Sequence, residues 1–355
     1  MSKVYLLDNV YQMAMKRLRF INRNFDRVVI AFSGGKDSTL VKALGEAEFD
    51  EMTVYFWDKE SNLISTADFV QRSFDALPSG VTPYWFSLPY RMRNALSVYE
   101  PYWTCWDPAA RDKWIYEPPQ RPYVITMQNN ILDGYDPERH NLYKLVGNMI
   151  SENGRYRTAV LVGLRTDESL NRFRAVTKHP QFGQPWITAT DAPNVYNAYP
   201  IYDWSFGDVW TYISRNKVPY APVYDMMFKA GLYKRNMRIS QSFCDVSKQG
   251  IPVIREVEPE SFERFMNRVA GMNSLTHIDL SEVLGKAKEV DADFLLQLYP
   301  EKVRIQIERR LDKSNSLSKS DPNVVRALLN NDIRLKRVNR PATNVDDLKE
   351  KYKDI

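Results

Sequence analysis

Cysteine and histidine, the side chains that build most disulfide and soft-metal sites, are scarce in this chain. Its 355 residues contain two cysteines, Cys105 and Cys244, three histidines, and no Cys-x-x-Cys pair. A disulfide framework is therefore excluded, and neither zinc nor an iron–sulfur cluster is expected.

Long apolar segments are missing as well. Charged side chains interrupt the first twenty residues at Lys3, Asp8, Lys16, Arg17 and Arg19, whereas a signal peptide or a membrane span needs an unbroken apolar stretch. We therefore expect a soluble, cytoplasmic protein without a membrane partner.

Positive charge is in excess only towards the C-terminal end. The formal net charge is +5, and residues 301–355 contain 14 basic and 9 acidic side chains, so the rest of the chain is balanced. A basic segment of this kind favours salt-dependent contacts with nucleic-acid phosphates. Because acidic residues are interspersed, a solvated helical face explains the same pattern, and both interpretations stay open.

Short apolar strands alternating with helices dominate the first part of the chain. Val28–Phe32, Met52–Trp57 and Thr158–Gly163 are typical of strands buried on both faces of a parallel sheet. Helical patterns at 38–49 and 66–76 follow the first two of these strands. This alternation predicts an α/β fold with a doubly wound, mainly parallel sheet.

Two changes in composition divide the chain. Residues 99–123 contain five prolines and three tryptophans, and this density of proline predicts an insertion without regular strand pairing. Beyond about residue 235 the chain becomes charged and helical. We predict one domain over residues 1–235 and a mostly helical C-terminal region with the basic tail over 236–355.

The stretch "VVIAFSGGKDSTLVKAL", residues 28–44, places a polar glycine turn between a buried strand and a helix. Gly34 and Gly35 allow a tight turn whose N–H groups face a ligand, and the N-terminus of the following helix favours an anion. The polar groups of this turn come from Ser33, Lys36, Asp37, Ser38 and Thr39. The pattern predicts a phosphate site, and Asp37 fits it if Mg²⁺ accompanies the phosphates.

The turn is not a Walker A loop. That motif needs a glycine five residues before its Gly-Lys pair and a hydroxyl residue directly after it, but Ile30 and Asp37 occupy these positions. The hexapeptide at residues 33–38, Ser-Gly-Gly-Lys-Asp-Ser, resembles instead the pyrophosphate-binding loop of the PP-loop family of ATP pyrophosphatases, which have an adenine nucleotide alpha hydrolase-like fold. The resemblance implies that ATP is cleaved between its α and β phosphates, that an acceptor is adenylylated, and that pyrophosphate stays in the loop.

A second motif indicates a branch of that family. "LVGLRTDESLNRFRAV", residues 161–176, resembles a signature of phosphoadenosine phosphosulfate (PAPS) reductases and sulfurylase small subunits. The matching residues are Gly163, Arg165, Glu168, Ser169 and Arg172. The two arginines are fork-shaped donors suited to phosphate or sulfate oxygens, and Glu168 is placed to orient one of them. A structural ion-pair cluster at a strand end is the alternative.

Two further features extend the resemblance. Residues 199–225 resemble the same branch, and in them Asp203, Trp204, Asp208 and Trp210 are expected to pack and cap a helix below the site rather than touch substrate. Asp58 follows the second strand, where the family usually places an acidic residue near the adenosine. A surface aspartate that ends a strand is the other interpretation.

The chain departs from true PAPS reductases, which use a C-terminal cysteine as nucleophile. No cysteine follows Cys244, and the neighbouring Asp245 would raise rather than lower the pKa of that thiol. Cys105 and Cys244 are therefore interpreted as ordinary thiols. Reductases of PAPS also have no pyrophosphate to hold and commonly have a degenerate loop, so the complete loop favours ATP.

The sequence thus predicts an enzyme that binds ATP with Mg²⁺. Ser33, Gly34, Gly35, Lys36, Asp37 and Ser38 are expected to bind pyrophosphate, and Asp58, Gly163, Arg165, Glu168 and Ser169 the rest of the nucleotide. Lys36, Asp37, Arg165 and Arg172 are the catalytic candidates, with Asp37 near the metal. PAPS reduction or sulfotransfer is one alternative. The other is a regulatory nucleotide-binding module acting with a ParB-like partner, because looser similarity links the chain to a phage and mobile-element group.

Overall fold

A computed structural model of the chain describes residues 8–139, 141–177, 179–232, 237, 239, 243 and 251–272. The helices are α1 (Val10–Asn24), α2 (Lys36–Glu48), α3 (Ile64–Asp75), α4 (Leu142–Ser151), α5 (Leu170–Thr177), α6 (Phe206–Arg215), α7 (Val223–Lys229), α8 (Ile251–Val257) and α9 (Pro259–Arg268). The strands are β1 (Arg27–Phe32), β2 (Met52–Trp57), β3 (Val81–Phe86), β4 (Tyr90–Arg93), β5 (Tyr102–Cys105), β6 (Val124–Ile125), β7 (Thr158–Val162), β8 (Pro180–Gln181), β9 (Gln184–Ala189) and β10 (Val195–Ala198). Across these helices, none is long and apolar enough to cross a membrane.

An eight-stranded sheet forms the centre of the described chain, in the order β6-β3-β2-β1-β7-β10-β9-β8. The first six strands in this order are parallel, and β9 and β8 add an antiparallel edge. Strand β1 lies inside the sheet, between β2 and β7. Its Val29 and Ile30 are both fully buried, as expected for a strand covered on both faces. The predicted α/β fold with a doubly wound, mainly parallel sheet is confirmed.

The strand order reverses between β1 and β7. From β1 the chain proceeds through β2 and β3 on one side, and it returns to the other side of β1 with β7. Ligands of open α/β sheets bind in the crevice beyond the carboxyl ends of the strands at such a switch point. The segments that follow Phe32 and Val162 are therefore the parts of the fold placed to form a site.

The prediction that residues 99–123 contain no regular pairing is wrong for part of the segment. Tyr102–Cys105 forms β5, which pairs antiparallel with β4. The prolines at 101 and 108 flank this strand instead of interrupting it, so they remove no hydrogen bond from the ladder. Trp103 and Cys105 point inward and are buried, which gives the strand its stability.

Helices α8 and α9 belong to the same compact unit as the sheet. The side chain of Arg268 in α9 forms an ion pair with Glu60, with Nε 2.6 Å from Oε1, and Ser261 Oγ accepts a hydrogen bond from the N–H of Ile64 at 3.0 Å. Residues 227–232 are the described part of a second compact unit, and they contain the end of α7 and the turn after it. The predicted domain boundary near residue 235 and the basic tail lie outside the described residues.

Candidate nucleotide site

The glycine turn joins β1 to α2 at the switch point. Gly34 has a φ of +72°, and a Cβ atom on it would lie 2.7 Å from Cγ2 of Val70 in α3. Glycine is required here on two grounds, because other residues disfavour this backbone region and because α3 leaves no room for a side chain. The turn therefore packs closely against a neighbouring helix.

Two serines brace this turn from inside. The hydroxyl oxygens of Ser33 and Ser38 lie 3.0 Å apart, and the Ser38 hydroxyl donates to the carbonyl of Gly35 at 2.9 Å. The N–H of Ser33 donates to the Ser38 hydroxyl at 3.1 Å. These bonds hold the loop in shape without a ligand, so little ordering is left for a ligand to induce.

A tyrosine from a distant segment completes the loop. The N–H of Lys36, the first residue of α2, donates to the hydroxyl of Tyr224 at 3.0 Å, and Tyr224 is buried. The ammonium of Lys36 lies 5.6 Å from the ring centroid of Phe206 and 5.8 Å from that of Tyr224. Sequence reasoning missed Tyr224 as a site residue, although the Pro-x-Tyr turn that contains it was part of the motif at 199–225.

The loop between β7 and α5, residues 163–169, is called the arginine loop here, and it contacts the glycine turn directly. A Cβ atom on Gly163 would lie 2.7 Å from the carbonyl carbon of Asp37 and 2.7 Å from the N of Ser38. Since backbone atoms cannot move aside as a flexible side chain does, glycine is needed at this crossing. Gly163, which also belongs to the motif at residues 161–176, is therefore required because two backbone segments pack closely here.

Arg165 connects the two loops by charge. Its Nε lies 2.6 Å from Oδ1 of Asp37, its Nη1 2.5 Å from Oδ1 of Asp167 and its Nη2 3.2 Å from Oε1 of Glu168. Glu168 in turn forms an ion pair with Arg172, with Oε2 and Nη1 2.5 Å apart. The Arg165 side chain is 2% exposed, so it is a buried guanidinium with three acidic partners.

The cluster remains charged despite its burial. Burial alone favours the neutral form of Asp37, but the neighbouring Lys36 and Arg165 cations outweigh it and lower the pKa of Asp37. Burial likewise disfavours the Lys36 ammonium, and the negative charge of Asp37 outweighs it and raises the pKa of Lys36. The Lys36 ammonium and the Asp37 carboxylate are therefore both charged at neutral pH.

Most of the predicted site residues converge on this place. The turn at 33–38, Gly163, Arg165, Glu168 and Arg172 come together, and the Ser169 hydroxyl accepts from the N–H of Arg172 at 3.2 Å, which caps the start of α5. The ion-pair cluster considered as an alternative is present in the structure. It lies at the switch point, where a ligand crevice is expected, so the two interpretations do not exclude each other.

Asp58 occupies a different position from the other candidates. Its carboxylate is fully buried and accepts hydrogen bonds from the indole N–H of Trp85 at 2.9 Å and the hydroxyl of Tyr116 at 2.7 Å. Burial raises the pKa of Asp58 to about 7. Its neighbours Lys59 and Asn62 line the adjacent cavity, so Asp58 supports the loop that carries them, and a direct contact with nucleotide stays a prediction.

A cavity of about 630 Å³ opens beside the turn, a volume in the usual range for small-molecule sites. It lies between α4 and the face of the sheet, and its lining runs along β7 from Thr158 to Val162. Its lining includes Ser33, Ser38, Trp57, Asn62 and Gly163. The indole N–H of Trp57 is buried and has no hydrogen-bond partner within the described ranges.

The residues expected to pack below the site do so. Arg17 forms a bidentate pair with Asp203, and the indole N–H of Trp204 donates to the carbonyl of Val10 at 3.0 Å. Asp208 and Ser205 cap the start of α6 reciprocally. These contacts confirm a structural role for this motif.

The fit of a magnesium ion depends on Asp37. Its Oδ1 is bound by Arg165 and its Oδ2 lies 3.1 Å from Nζ of Lys36, and among the described residues no group of three or more His, Cys, Asp or Glu side chains is placed to hold a metal. Mg²⁺ commonly binds through one or two carboxylates together with substrate phosphates. Both carboxylate oxygens of Asp37 already have a cationic partner, so Asp37 as a ligand of Mg²⁺ stays a prediction.

Cys105 is fully buried in β5, and burial raises the pKa of its thiol well above the ordinary value. A thiol in this state is a poor nucleophile, which confirms the interpretation of Cys105 as an ordinary buried thiol. Cys244 lies outside the described residues.

Comparison with known proteins gives the following matches. Residues 136–230 match the model of the phosphoadenosine phosphosulfate reductase domain. The uncharacterized protein YbdN of Escherichia coli (strain K12) is 30% identical over 289 residues, which are 77% of this chain and 68% of that protein. The phosphoadenylyl-sulfate reductase of Candida auris, solved as a phosphate complex, has a TM-score of 0.34 and 16% identity, covering 64% of this chain and 94% of its own. An NH₃-dependent NAD synthetase from Campylobacter jejuni has a TM-score of 0.30 and 12% identity, covering 77% and 98%.

A braced glycine turn and a buried arginine at the switch point of a mainly parallel sheet are the features of a nucleotide-binding α/β protein. The domain match over residues 136–230 and the similarity to YbdN define this class of protein more closely. The chain belongs to the same family as YbdN, and its residues 136–230 match the phosphoadenosine phosphosulfate reductase domain. Its assignment to a phage and mobile-element group stays a prediction.

Proposed function

We propose that this protein binds ATP with Mg²⁺ at the switch point, cleaves it between the α and β phosphates and transfers the adenylyl group to an acceptor. The observation that carries the proposal is the complete Ser-Gly-Gly-Lys-Asp-Ser turn, held in shape by its own serines and joined to Arg165 through Asp37. The proposal assigns this chemistry to residues 1–235, with 236–355 as an accessory helical region.

Each element of the site has a role in the proposal. The β and γ phosphates bind at the N–H groups of Gly34, Asp37 and Ser38, beside the Lys36 ammonium. The N–H of Lys36 itself is not used, because it donates to the hydroxyl of Tyr224. Arg165 holds the acidic cluster in place and fixes the turn against β7. Arg172, whose side chain is 38% exposed, is the guanidinium with access to the α-phosphate or to an anionic acceptor.

The reaction needs no protein nucleophile. An acceptor oxygen forms a bond to the α-phosphorus, and the bond from that phosphorus to the bridging oxygen breaks, so its electron pair leaves with pyrophosphate. Mg²⁺, when bound, neutralises charge on the β and γ phosphates. Lys36 and the N-terminal N–H groups of α2 stabilise the charge that develops on the leaving pyrophosphate. When water is the acceptor, the products are AMP, pyrophosphate and a proton released to solvent.

The second candidate is the binding of PAPS, favoured by the family match over residues 136–230. In this case the same cavity holds a 3′-phosphorylated nucleotide. A thiol or another acceptor forms a bond to the sulfur, the bond from sulfur to the phosphate oxygen breaks, and adenosine 3′,5′-bisphosphate leaves. Cys105 does not serve that step, because it is buried in β5 with a raised pKa.

Incubation of the protein with Mg·ATP or with PAPS, followed by identification of the products, tests the proposal. We expect AMP and pyrophosphate from ATP, and a loss of at least tenfold in rate on Lys36→Ala, since removing one preorganised charge contact commonly costs a factor of 10²–10³. Lys42→Ala is the control, because Lys42 lies in the same helix but pairs with Glu46 at 2.6 Å. Release of sulfite and adenosine 3′,5′-bisphosphate from PAPS, in the presence of an added dithiol as the two-electron reductant, would establish the second candidate instead. Saturable ATP binding without turnover, with or without a ParB-like protein added, would indicate a regulatory module.

A further inference from the structure

The hairpin formed by β4 and β5 carries a surface that the nucleotide site does not use. Arg91 and Arg93 are two residues apart in β4 and are both exposed, so they lie on the same face of the strand. In the hairpin register Arg93 pairs with Tyr102, and the Arg91 guanidinium lies 4.6 Å from the ring centroid of Tyr102. The hairpin therefore exposes alternating cationic and aromatic groups.

This face forms one wall of a groove of about 290 Å³. We call it the tyrosine–arginine groove, and its exposed or half-buried polar lining consists of Lys59, Tyr90, Arg91, Arg93, Tyr102 and Tyr143. Lys59 and Tyr143 also line the nucleotide cavity. The groove and the cavity are therefore neighbours that share two residues.

The exposed aromatic rings are the unusual part of this surface. Tyr143 is 61% exposed and Tyr102 is 46% exposed, so both rings are accessible to a ligand. Glu138 is the acidic residue placed near Arg91, but its carboxylate is 4.0 Å away and both side chains are exposed. Such a pair contributes little and is readily replaced by another anion.

We infer that the tyrosine–arginine groove binds a single-stranded nucleic acid next to the nucleotide site. Unpaired bases stack on aromatic side chains, while the phosphates between them bind Arg and Lys, and stacking of this kind tolerates any base sequence. Duplex nucleic acid hides its bases from such a surface. A small anion would bind the cations of the groove but would make no stacking contact with its exposed rings.

The inference goes beyond the proposed ATP chemistry, and it is tested without ATP. Fluorescence anisotropy of a short labelled oligothymidylate, measured at low salt with the full chain, reports binding. We expect Arg91→Ala and Tyr102→Ala each to weaken binding by roughly tenfold. Tyr102→Phe is expected to keep the affinity, because it keeps the ring and removes only the hydroxyl.

Arg111→Ala is the matched control. Arg111 is also an exposed arginine on an aromatic ring, 5.5 Å from the centroid of Trp114, and it pairs with Glu117 at 3.3 Å, but it lies outside the groove. Unchanged affinity in this variant, together with preference for single-stranded over duplex DNA, supports the inference.

Three results would overturn it: no binding of the oligonucleotide, equal binding of duplex, or an affinity that Arg91→Ala and Tyr102→Ala leave unchanged. The last result would place nucleic-acid binding elsewhere on the chain. Circular dichroism of each variant confirms that it is folded. Because no nucleotide is present, none of these outcomes depends on whether the protein cleaves ATP.

Discussion

Gly163→Ala is expected to abolish measurable binding of Mg·ATP. The added Cβ would meet backbone atoms of Asp37 and Ser38 at 2.7 Å, closer than non-bonded carbon and nitrogen atoms approach. The glycine turn and the arginine loop must then separate, and the N–H groups of the turn lose their common orientation. Overpacking of this kind also lowers the free energy of unfolding, by roughly 1–3 kcal/mol.

Calorimetric titration of the folded variant with an ATP analogue measures the effect. Gly207→Ala is the control, since the nearest atom to its added Cβ, Oγ of Ser205, would lie 3.7 Å away and alanine is a better helix former than glycine. We expect the control to bind as the unmodified protein does. Unimpaired binding by Gly163→Ala would show that the contact between the two loops does not shape the nucleotide site.

Arg165→Ala is expected to be the most destabilising single change in the site. It leaves Asp37, Asp167 and Glu168 close together without their shared cation. Removing one partner of a buried ion pair typically costs roughly 3–5 kcal/mol. Asp37 and Glu168 keep Lys36 and Arg172 as partners, so the lower end of this range applies. We expect a loss of this size in the free energy of unfolding, measured by urea denaturation at neutral pH.

Arg155→Ala separates this effect from the loss of an arginine as such. Arg155 also pairs with a glutamate, Glu152, at 3.4 Å, but its side chain is 71% exposed, so we expect a change within about 0.5 kcal/mol. Equal effects of the two substitutions would contradict the role of Arg165 as the buried cation that joins the loops. Arg165→Lys is expected to be intermediate, since lysine restores charge but not the planar fork that contacts three carboxylates.

Local patterns were sufficient to predict the parts of the fold that carry the turn. The strand at Met52–Trp57 has the predicted bounds, and β1, α2 and β7 agree to within a few residues, because an apolar run followed by glycine and a helical period are short-range signals. The contact between the two loops was implied by parallel strands that end at one edge. The close approach of Gly163 to the glycine turn could not be predicted from the sequence, because it depends on the distance between β1 and β7.

Contacts between residues far apart in the chain could not be predicted from the sequence. Tyr224 contacts Lys36 across 188 positions, and Arg268 contacts Glu60 across 208 positions, so no local pattern reports either pair. The burial of Asp58 follows from the tryptophans and tyrosines of the 99–123 segment that cover it. The expectation of an irregular segment failed there because proline density says where pairing stops, not whether four residues between prolines pair.

The central claim is that the glycine turn holds the β and γ phosphates of ATP while the bond to the α-phosphorus is the one that breaks. A crystal structure of the protein with Mg²⁺ and an ATP analogue that has a methylene bridge between its α and β phosphates tests it most directly. We expect the two outer phosphates within hydrogen-bond distance of the N–H groups of Gly34, Asp37 and Ser38, with the adenosine in the cavity beside Trp57 and Asn62. A triphosphate bound away from the turn, or a turn in contact with the adenosine alone, would contradict it.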